Sequence, residues 1–130
     1  GADLAWMGTR FINVEESLAD EKYKKMIIES SAEDIVYTAA VSGVNASFLR
    51  SSLEAMGITE EMWSKTKKID FGSELDAAKA EAKAWKTIWS AGQGVTSIKN
   101  VISISNLVSE LKKDFLSGLK RMKEVYNTYN

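Results

Sequence analysis

The sequence predicts a mainly α-helical protein with one or two short strands. Two observations carry this prediction: five segments repeat apolar residues at helical spacing, and only two short runs have the composition of strands. The chain has 130 residues, of which 45% are hydrophobic, and this is enough for one domain with a real core. No internal repeat and no linker rich in proline or glycine divides it.

The composition excludes several classes of site. Because the chain has no cysteine and no histidine, it has no disulfide, thiolate nucleophile or imidazole base, and we predict no metal site. The chain has 17 basic and 18 acidic residues, so it lacks the excess of positive charge that is typical of a nucleic-acid-binding protein. No apolar run is long enough to span a membrane and no signal-peptide pattern is present, so we expect a cytoplasmic protein without a membrane partner.

The first elements follow from an apolar run and from helix-start residues. Residues 3–8 are almost continuously apolar and end in a glycine, which favours a buried strand. Asn13 and Glu16 have the spacing of a capping box, so we expect a helix to begin directly after Asn13 and to end near residue 30. Asp20 offers a second start for the same helix, whose lysines should face solvent.

The middle of the chain predicts a strand and two helices. Residues 35–41 are β-branched and aromatic, which favours a strand. Asn45 is placed to cap a helix that would end at Gly57, a residue suited to a left-handed C-cap. The apolar face of that helix would be Phe48, Leu49, Leu53 and Met56. Thr59 begins another short helix.

The last third predicts a connector, two helices and a loop. A polar connector over 65–72 leads into an alanine-rich helix over 74–86, followed by a loop over 87–94. Trp85 and Trp89 are four residues apart and are expected to pack in the core, with a stacking platform as the alternative. Ser103 or Ser105 caps the final helix. Its apolar face would be Leu107, Val108, Leu111, Phe115, Leu116, Leu119, Met122 and Val125.

Two glycine-containing segments are candidate binding sites. A predicted strand ends at Gly8, where the absence of a side chain allows a ligand to approach the backbone. Thr9 can donate its hydroxyl hydrogen, and the amino terminus of the following predicted helix carries a partial positive charge that favours a phosphate. A plain turn with Arg10 in solvent explains the same pattern and is favoured by the pattern alone. Residues 89–94 (WSAGQG) hold two glycines, a hydroxyl and an amide; they match no phosphate-loop spacing, and an ordinary turn is the alternative.

Taken in order, these segments resemble one family. Residues 1–11 (GADLAWMGTRF) resemble the last barrel strand and phosphate turn of the FMN-dependent nitronate monooxygenases, formerly called 2-nitropropane dioxygenases. Residues 85–94 (WKTIWSAGQG) resemble a later segment of the same family, and the stretches at 15–17, 34–38 and 48–50 fall in its order. The resemblance covers essentially all 130 residues but only the carboxy-terminal part of the family's length.

The resemblance implies a fold and a domain organisation. The family fold is a (β/α)8 TIM barrel with a smaller helical subdomain, and 130 residues are too few for eight strands. Residues 1–31 would be the last barrel strand, phosphate turn and following helix. Residues 32–86 would be the helical subdomain, and residues 87–130 the flavin-side loop and final barrel helix.

The resemblance also implies an oxidoreductase that uses FMN and oxygen to oxidise small alkyl nitronates. By similarity, Trp6, Met7, Gly8 and Thr9 would hold the flavin phosphate. Ser90, Gly92 and Gln93 would lie near the flavin or the substrate. No catalytic residue is assigned, because the histidine that the family uses near the flavin is absent, and we expect no turnover by this chain alone.

Two alternatives remain at this point. An FMN-dependent enoyl-acyl-carrier-protein reductase shares the glycine turn, and a non-catalytic helical interaction module would explain the helix content.

The chain has no initiator Met and begins in an apolar run, so we expect a fragment rather than a tag-derived overhang. Without neighbours, six residues should stay partly uncovered and favour self-association: Leu4, Trp6, Phe11, Leu111, Phe115 and Leu119.

Overall fold

The computed structural model describes residues 4–64 and 86–129, which are mostly helical around one pair of short strands. The helices are α1 (Thr9–Ile12), α2 (Glu21–Glu29), α3 (Arg50–Ala55), α4 (Glu60–Trp63) and α5 (Ile104–Tyr129), the strands are β1 (Ile35–Thr38) and β2 (Ala46–Leu49), and 3₁₀ helices span Ala32–Asp34 and Gln93–Ser97. The predicted connector over 65–72 and nearly all of the predicted helix over 74–86 lie outside the described residues. In the described ranges, no helix is long and apolar enough to cross a membrane.

The two strands form an antiparallel sheet that is covered on both faces. Val36 pairs with Phe48 and Ile35 pairs with Leu49. Because side chains alternate along a strand, these two pairs point to opposite faces. Val36 and Phe48 belong to a first core cluster, whereas Leu49 belongs to a second, against which Ile35 packs.

The two clusters bring distant parts of the chain together. The first cluster consists of Val36, Ala40, Val41, Phe48, Leu53, Ile58 and Trp63. The second consists of Ile27, Leu49, Ala91, Val95 and Ile98. The second cluster therefore joins α2 and β2 to the chain that follows Ala91, which is how the later glycine segment is held against the amino-terminal part.

The strand predicted over residues 3–8 does not form in the part of the chain that the structure describes. Residues 4–7 have no regular structure, Gly8 is a bend, and α1 begins at Thr9. Trp6 is fully exposed, at 100% of its reference area. An apolar run becomes a strand only when another strand accepts and donates its ladder hydrogen bonds, and none of the described residues pairs with this segment.

The predicted capping box at Asn13 and Glu16 is wrong, and Asp20 is the true helix start. Asn13 is completely buried, and its side-chain amide donates to the carbonyl of Lys24 at 2.9 Å. The carboxylate of Asp20 accepts from the N–H of Lys22 at 2.8 Å, so α2 begins at Glu21. Glu16 instead accepts from the N–H of Ile104 at 3.0 and 2.9 Å and caps α5.

The predicted exposure of Lys24 is wrong, because this side chain is buried, at 4% of its reference area. Its ammonium donates to the carbonyl of Ser17 at 3.1 Å and to the carboxylate of Glu21 at 3.1 Å. A buried cation needs such partners because it has lost its water. The local pattern indicates which lysines lie on the outer face of an isolated helix, but it does not show that residues 13–17 fold back over that face.

The helix predicted from Asn45 is replaced at its start by β2. The apolar spacing of Phe48, Leu49 and Leu53 fits a helix, but the first two residues pair with β1 instead, and α3 begins only at Arg50. Both strand residues are buried, so burial on two faces of the sheet outweighs the local preference. The predicted end is confirmed: Gly57 has φ 77° and its N–H donates to the carbonyl of Glu54.

The final helix, α5, agrees with its prediction. The hydroxyl of Ser103 accepts from the N–H of Asn106 at 3.2 Å, and the helix runs from Ile104 to Tyr129. Among its described residues only Leu107 is buried. The expected uncovered residues are confirmed as exposed, with Leu111 half-buried: Leu4 91%, Trp6 100%, Phe11 37%, Phe115 66% and Leu119 48%.

A capping box at Ser31 gives the fold a pH-dependent contribution. Asp34 accepts from the N–H of Ser31 at 2.8 Å and from its hydroxyl at 2.9 Å, and these bonds hold the pKa of Asp34 below its ordinary value of 3.8. A carboxyl with a lowered pKa stabilises the folded state above its unfolded pKa, and this contribution is lost as the pH falls through the folded pKa. We expect urea unfolding of wild type, compared with D34N, to show a stability difference at pH 6 that shrinks below pH 4. A difference that stays constant down to pH 2 would contradict this.

Candidate functional site

A cavity of about 510 Å³ lies between the amino-terminal segment and the start of α5. Trp6, Met7, Gly8, Thr9 and Arg10 form one side, and Gly92, Gly94, Ser97, Ile98, Lys99, Asn100, Leu107, Glu110, Leu111 and Asp114 form the rest. The second core cluster fixes the 3₁₀ helix Gln93–Ser97, and Leu107 anchors α5. The walls are thus set by packing between segments that are far apart in sequence.

One hydrogen bond joins the two glycine segments across this cavity. The hydroxyl oxygen of Thr9 accepts from the N–H of Gly92 at 2.9 Å. A hydroxyl that accepts this bond still has its hydrogen to donate to a ligand. The bond therefore brings the two segments that the sequence singles out to one place, with a donor between them.

The glycines leave room for a ligand. A Cβ added at Gly8 or at Gly94 would meet no protein atom within 4 Å, and both residues line the cavity. A Cβ at Gly92 would lie 3.6 Å from the hydroxyl oxygen of Thr9, an ordinary contact. Open backbone at two glycines allows a phosphate to approach the main chain closely, so this part of the cavity fits the phosphate end of FMN.

The charges around the cavity are mixed. One terminal guanidinium nitrogen of Arg10 donates to the carbonyl of Asn13 at 3.2 Å, and the other terminal nitrogen lies 3.9 Å from the carboxylate of Glu110. Lys99 adds an exposed positive charge and Asp114 an exposed negative charge. Because Arg10 is already paired, an anion here depends on main-chain donors and on Thr9 more than on net positive charge.

The structure brings together most but not all of the predicted site residues. Trp6, Met7, Gly8 and Thr9 line the cavity, and Gly92 faces them. Ser90 and Gln93 do not line it. Ser90 forms an antiparallel bridge with Phe48, and its carbonyl accepts from the hydroxyl of Tyr23, while Gln93 begins a 3₁₀ helix. Their role near a flavin stays a prediction.

The cavity wall contributed by α5 was missed by sequence reasoning. Glu110, Leu111 and Asp114 line the cavity, and Val14 bridges Ile102 just before α5 begins. No local pattern signals this bridge. Among the described residues, no group of three carboxylates could hold a metal ion.

The expected core packing of Trp89 is confirmed, with an aromatic partner. Trp89 packs against the second core cluster and stacks on Tyr23 with ring centroids 5.0 Å apart. Burial raises the pKa of Tyr23, whose hydroxyl donates to the carbonyl of Ser90. Trp85 lies outside the described residues. The stacked pair of Tyr23 and Trp89 fixes the chain just before Gly92, which lines the cavity.

Comparison with known proteins identifies the family. The family model described as nitronate monooxygenase matches residues 1–114. A nitronate monooxygenase from Paraburkholderia phytofirmans is 28% identical over 133 residues, covering 98% of this chain and 36% of that protein. The chain therefore belongs to the nitronate monooxygenase family.

A solved structure supports the fold. FabK from Thermotoga maritima, in its M276A mutant, aligns with a TM-score of 0.61 and 24% identity over 90% of this chain and 35% of that chain. At this identity the likeness concerns the fold alone. The chain spans about a third of the length of both relatives.

Proposed function

We propose that this chain is the carboxy-terminal part of an FMN-dependent nitronate monooxygenase and binds the flavin phosphate. The observation that carries the proposal is the hydrogen bond from Gly92 to Thr9, which joins the two family-like segments on one cavity. The family match over residues 1–114 favours this activity over an enoyl-acyl-carrier-protein reductase and over a helical interaction module.

In this proposal the residues of the chain bind and orient the cofactor. The main chain at Gly8 and the hydroxyl of Thr9 would hold the phosphate, with Gly92 keeping Thr9 in position. When bound, FMN supplies the redox chemistry by which oxygen oxidises an alkyl nitronate. Trp6 and Met7 would cover one side of the cofactor from the cavity wall.

In this proposal the other residues of the flavin site lie in the part of the family's proteins that this chain does not span. The 130 residues contain no histidine to serve as a base near neutral pH. Trp6 is fully exposed, so the cavity does not enclose a ring system as complete cofactor sites do. We expect weak FMN binding and no turnover by the chain alone; sub-micromolar binding by its monomer would contradict this division of the site.

Phosphate recognition is tested by comparing FMN with riboflavin, which lacks the phosphate. We expect FMN to shift the backbone amide resonances of Gly8, Thr9 and Gly92 in ¹⁵N NMR spectra, and riboflavin to leave them in place. T9V should weaken FMN binding about tenfold, because it removes one hydrogen bond to a charged group. T9S keeps the hydroxyl and should bind like wild type. Equal shifts with both flavins would contradict the assignment.

The activity is tested in a chimera in which this chain replaces the matching part of the Paraburkholderia phytofirmans relative. We expect oxygen consumption that depends on an added alkyl nitronate and that falls in the T9V chimera. The T9S chimera is the matched control. A folded, FMN-loaded chimera that instead reduces an enoyl thioester with NAD(P)H would favour the reductase.

A further inference from the structure

Arg10 is fixed at the cavity by residues of this chain. It directly follows Thr9 and lines the same cavity, and its side chain is largely buried, with 15% exposed. One terminal guanidinium nitrogen donates to the carbonyl of Asn13 at 3.2 Å. Asn13 is completely buried, and its side-chain amide donates to the carbonyl of Lys24 at 2.9 Å. The position of the guanidinium is therefore set by a buried residue and not by Glu110 alone.

The other terminal nitrogen of Arg10 has a weaker contact. It lies 3.9 Å from the carboxylate of Glu110, which is close enough for an ion pair. An N–H···O hydrogen bond is shorter, at about 2.7–3.2 Å, so this contact is not a close hydrogen bond. The side chain of Glu110 is 59% exposed in this chain, so water can take the place of Arg10 around its carboxylate. A better acceptor can therefore replace Glu110 at this nitrogen.

A phosphate is a better acceptor for Arg10 than this distant carboxylate. The planar guanidinium matches the spacing of phosphate oxygens and can bind two of them at once. We propose that Glu110 and the flavin phosphate compete for Arg10, so that FMN binding releases Glu110 from the guanidinium. This competition deepens the proposed function and rests on it, because it requires the phosphate to bind beside Gly8 and Thr9.

Asp114 provides a comparison for Glu110. It lies one turn further along α5 and lines the same cavity, together with Lys99. The four ion pairs among the described residues include Glu110 but not Asp114. Removing the charge of Asp114 therefore only makes the cavity less negative, whereas removing the charge of Glu110 also leaves Arg10 free for the phosphate.

Titration of the full chain with FMN, followed by the amide signals of Gly8 and Thr9, tests the competition. We expect E110Q to lower the dissociation constant for FMN about fivefold, the size of a favourable exposed ion pair. The matched control D114N should lower it less. Equal effects of E110Q and D114N would overturn the proposal. Weaker FMN binding by E110Q would also overturn it, because Glu110 would then position Arg10 for the phosphate.

A double-mutant cycle with R10Q tests whether Glu110 acts through Arg10. In the R10Q background, adding E110Q should change FMN binding no more than adding D114N does. An E110Q effect of the same size with and without Arg10 would overturn the proposal. Circular dichroism checks that each variant is folded. If R10Q does not fold, the comparison of E110Q with D114N still decides the question.

The side-chain NMR signal of Arg10 separates this proposal from the proposed function. The chain has three arginines, so the Nε–H signal of Arg10 is assigned by its loss in R10Q. We expect FMN to shift this signal and riboflavin to leave it in place. If FMN alone shifts the amides of Gly8 and Thr9 but not the Arg10 signal, the competition fails and the proposed function stands. If both flavins shift those amides equally, both proposals fail.

Discussion

Replacing Leu49 with alanine should lower the free energy of unfolding by about 2–5 kcal/mol. Leu49 is completely buried in β2, within the cluster that includes Ile27 and Val95. The substitution removes apolar contacts and leaves a cavity in a cluster that joins three parts of the chain. Domains of this size have a total stability of about 5–15 kcal/mol, so the variant should be close to unfolding at room temperature. Urea unfolding followed by circular dichroism measures the loss.

Leu18 provides the matched control. It is the same residue type but lies fully in solvent, so L18A should change the free energy of unfolding by less than about 0.5 kcal/mol. If L49A cost no more than L18A, the second core cluster would not be the support of this fold, and the placement of the Gly92 segment would be in doubt.

Replacing Ser52 with alanine should cost about 1–3 kcal/mol, although it removes a single oxygen atom. The hydroxyl of Ser52 is completely buried; it donates to the carbonyl of Leu49 at 2.9 Å and accepts from the N–H of Trp89 at 3.0 Å. In S52A the N–H of Trp89 loses its hydrogen bond to this buried hydroxyl. Because Trp89 precedes the cavity loop, its indole fluorescence should also change in the folded variant.

The neighbouring Ser51 separates this effect from the general cost of losing a hydroxyl. Its hydroxyl oxygen is buried but has no hydrogen-bond partner among the described residues. S51A should therefore be neutral or slightly stabilising in the same urea titration. A loss in S51A equal to that in S52A would mean that the bond to Trp89 contributes nothing.

Helix ends and faces that are set by residues close together in sequence are predictable from this sequence. The cap at Ser103, the apolar face beginning at Leu107 and the C-cap at Gly57 each involve residues a few positions apart. Interactions of this range are present in the local pattern. Asp20 likewise marks the true start of α2, as one of the two starts that the pattern allows.

Elements that depend on distant partners are not predictable in this way. The run over 3–8 has strand composition but no partner strand in the part of the chain that the structure describes. Residues 46–49 have helical spacing, yet β1 makes them a strand. The same division holds at the site: the glycine segments are visible in sequence, whereas Glu110 and Asp114 reach the cavity only through tertiary packing.

The cap that Glu16 provides to α5 also bears on the order of folding. This contact spans 88 positions, and the bridge from Val14 to Ile102 closes a loop of similar size. During synthesis Val14 and Glu16 are made before Ile102 and Ile104, so these contacts form only after the residues between them have been made. Closing so long a loop carries an entropic cost before any contact offsets it. Assembly of the cavity is thus expected among the last events of folding, after α2 and the sheet have formed from nearby residues.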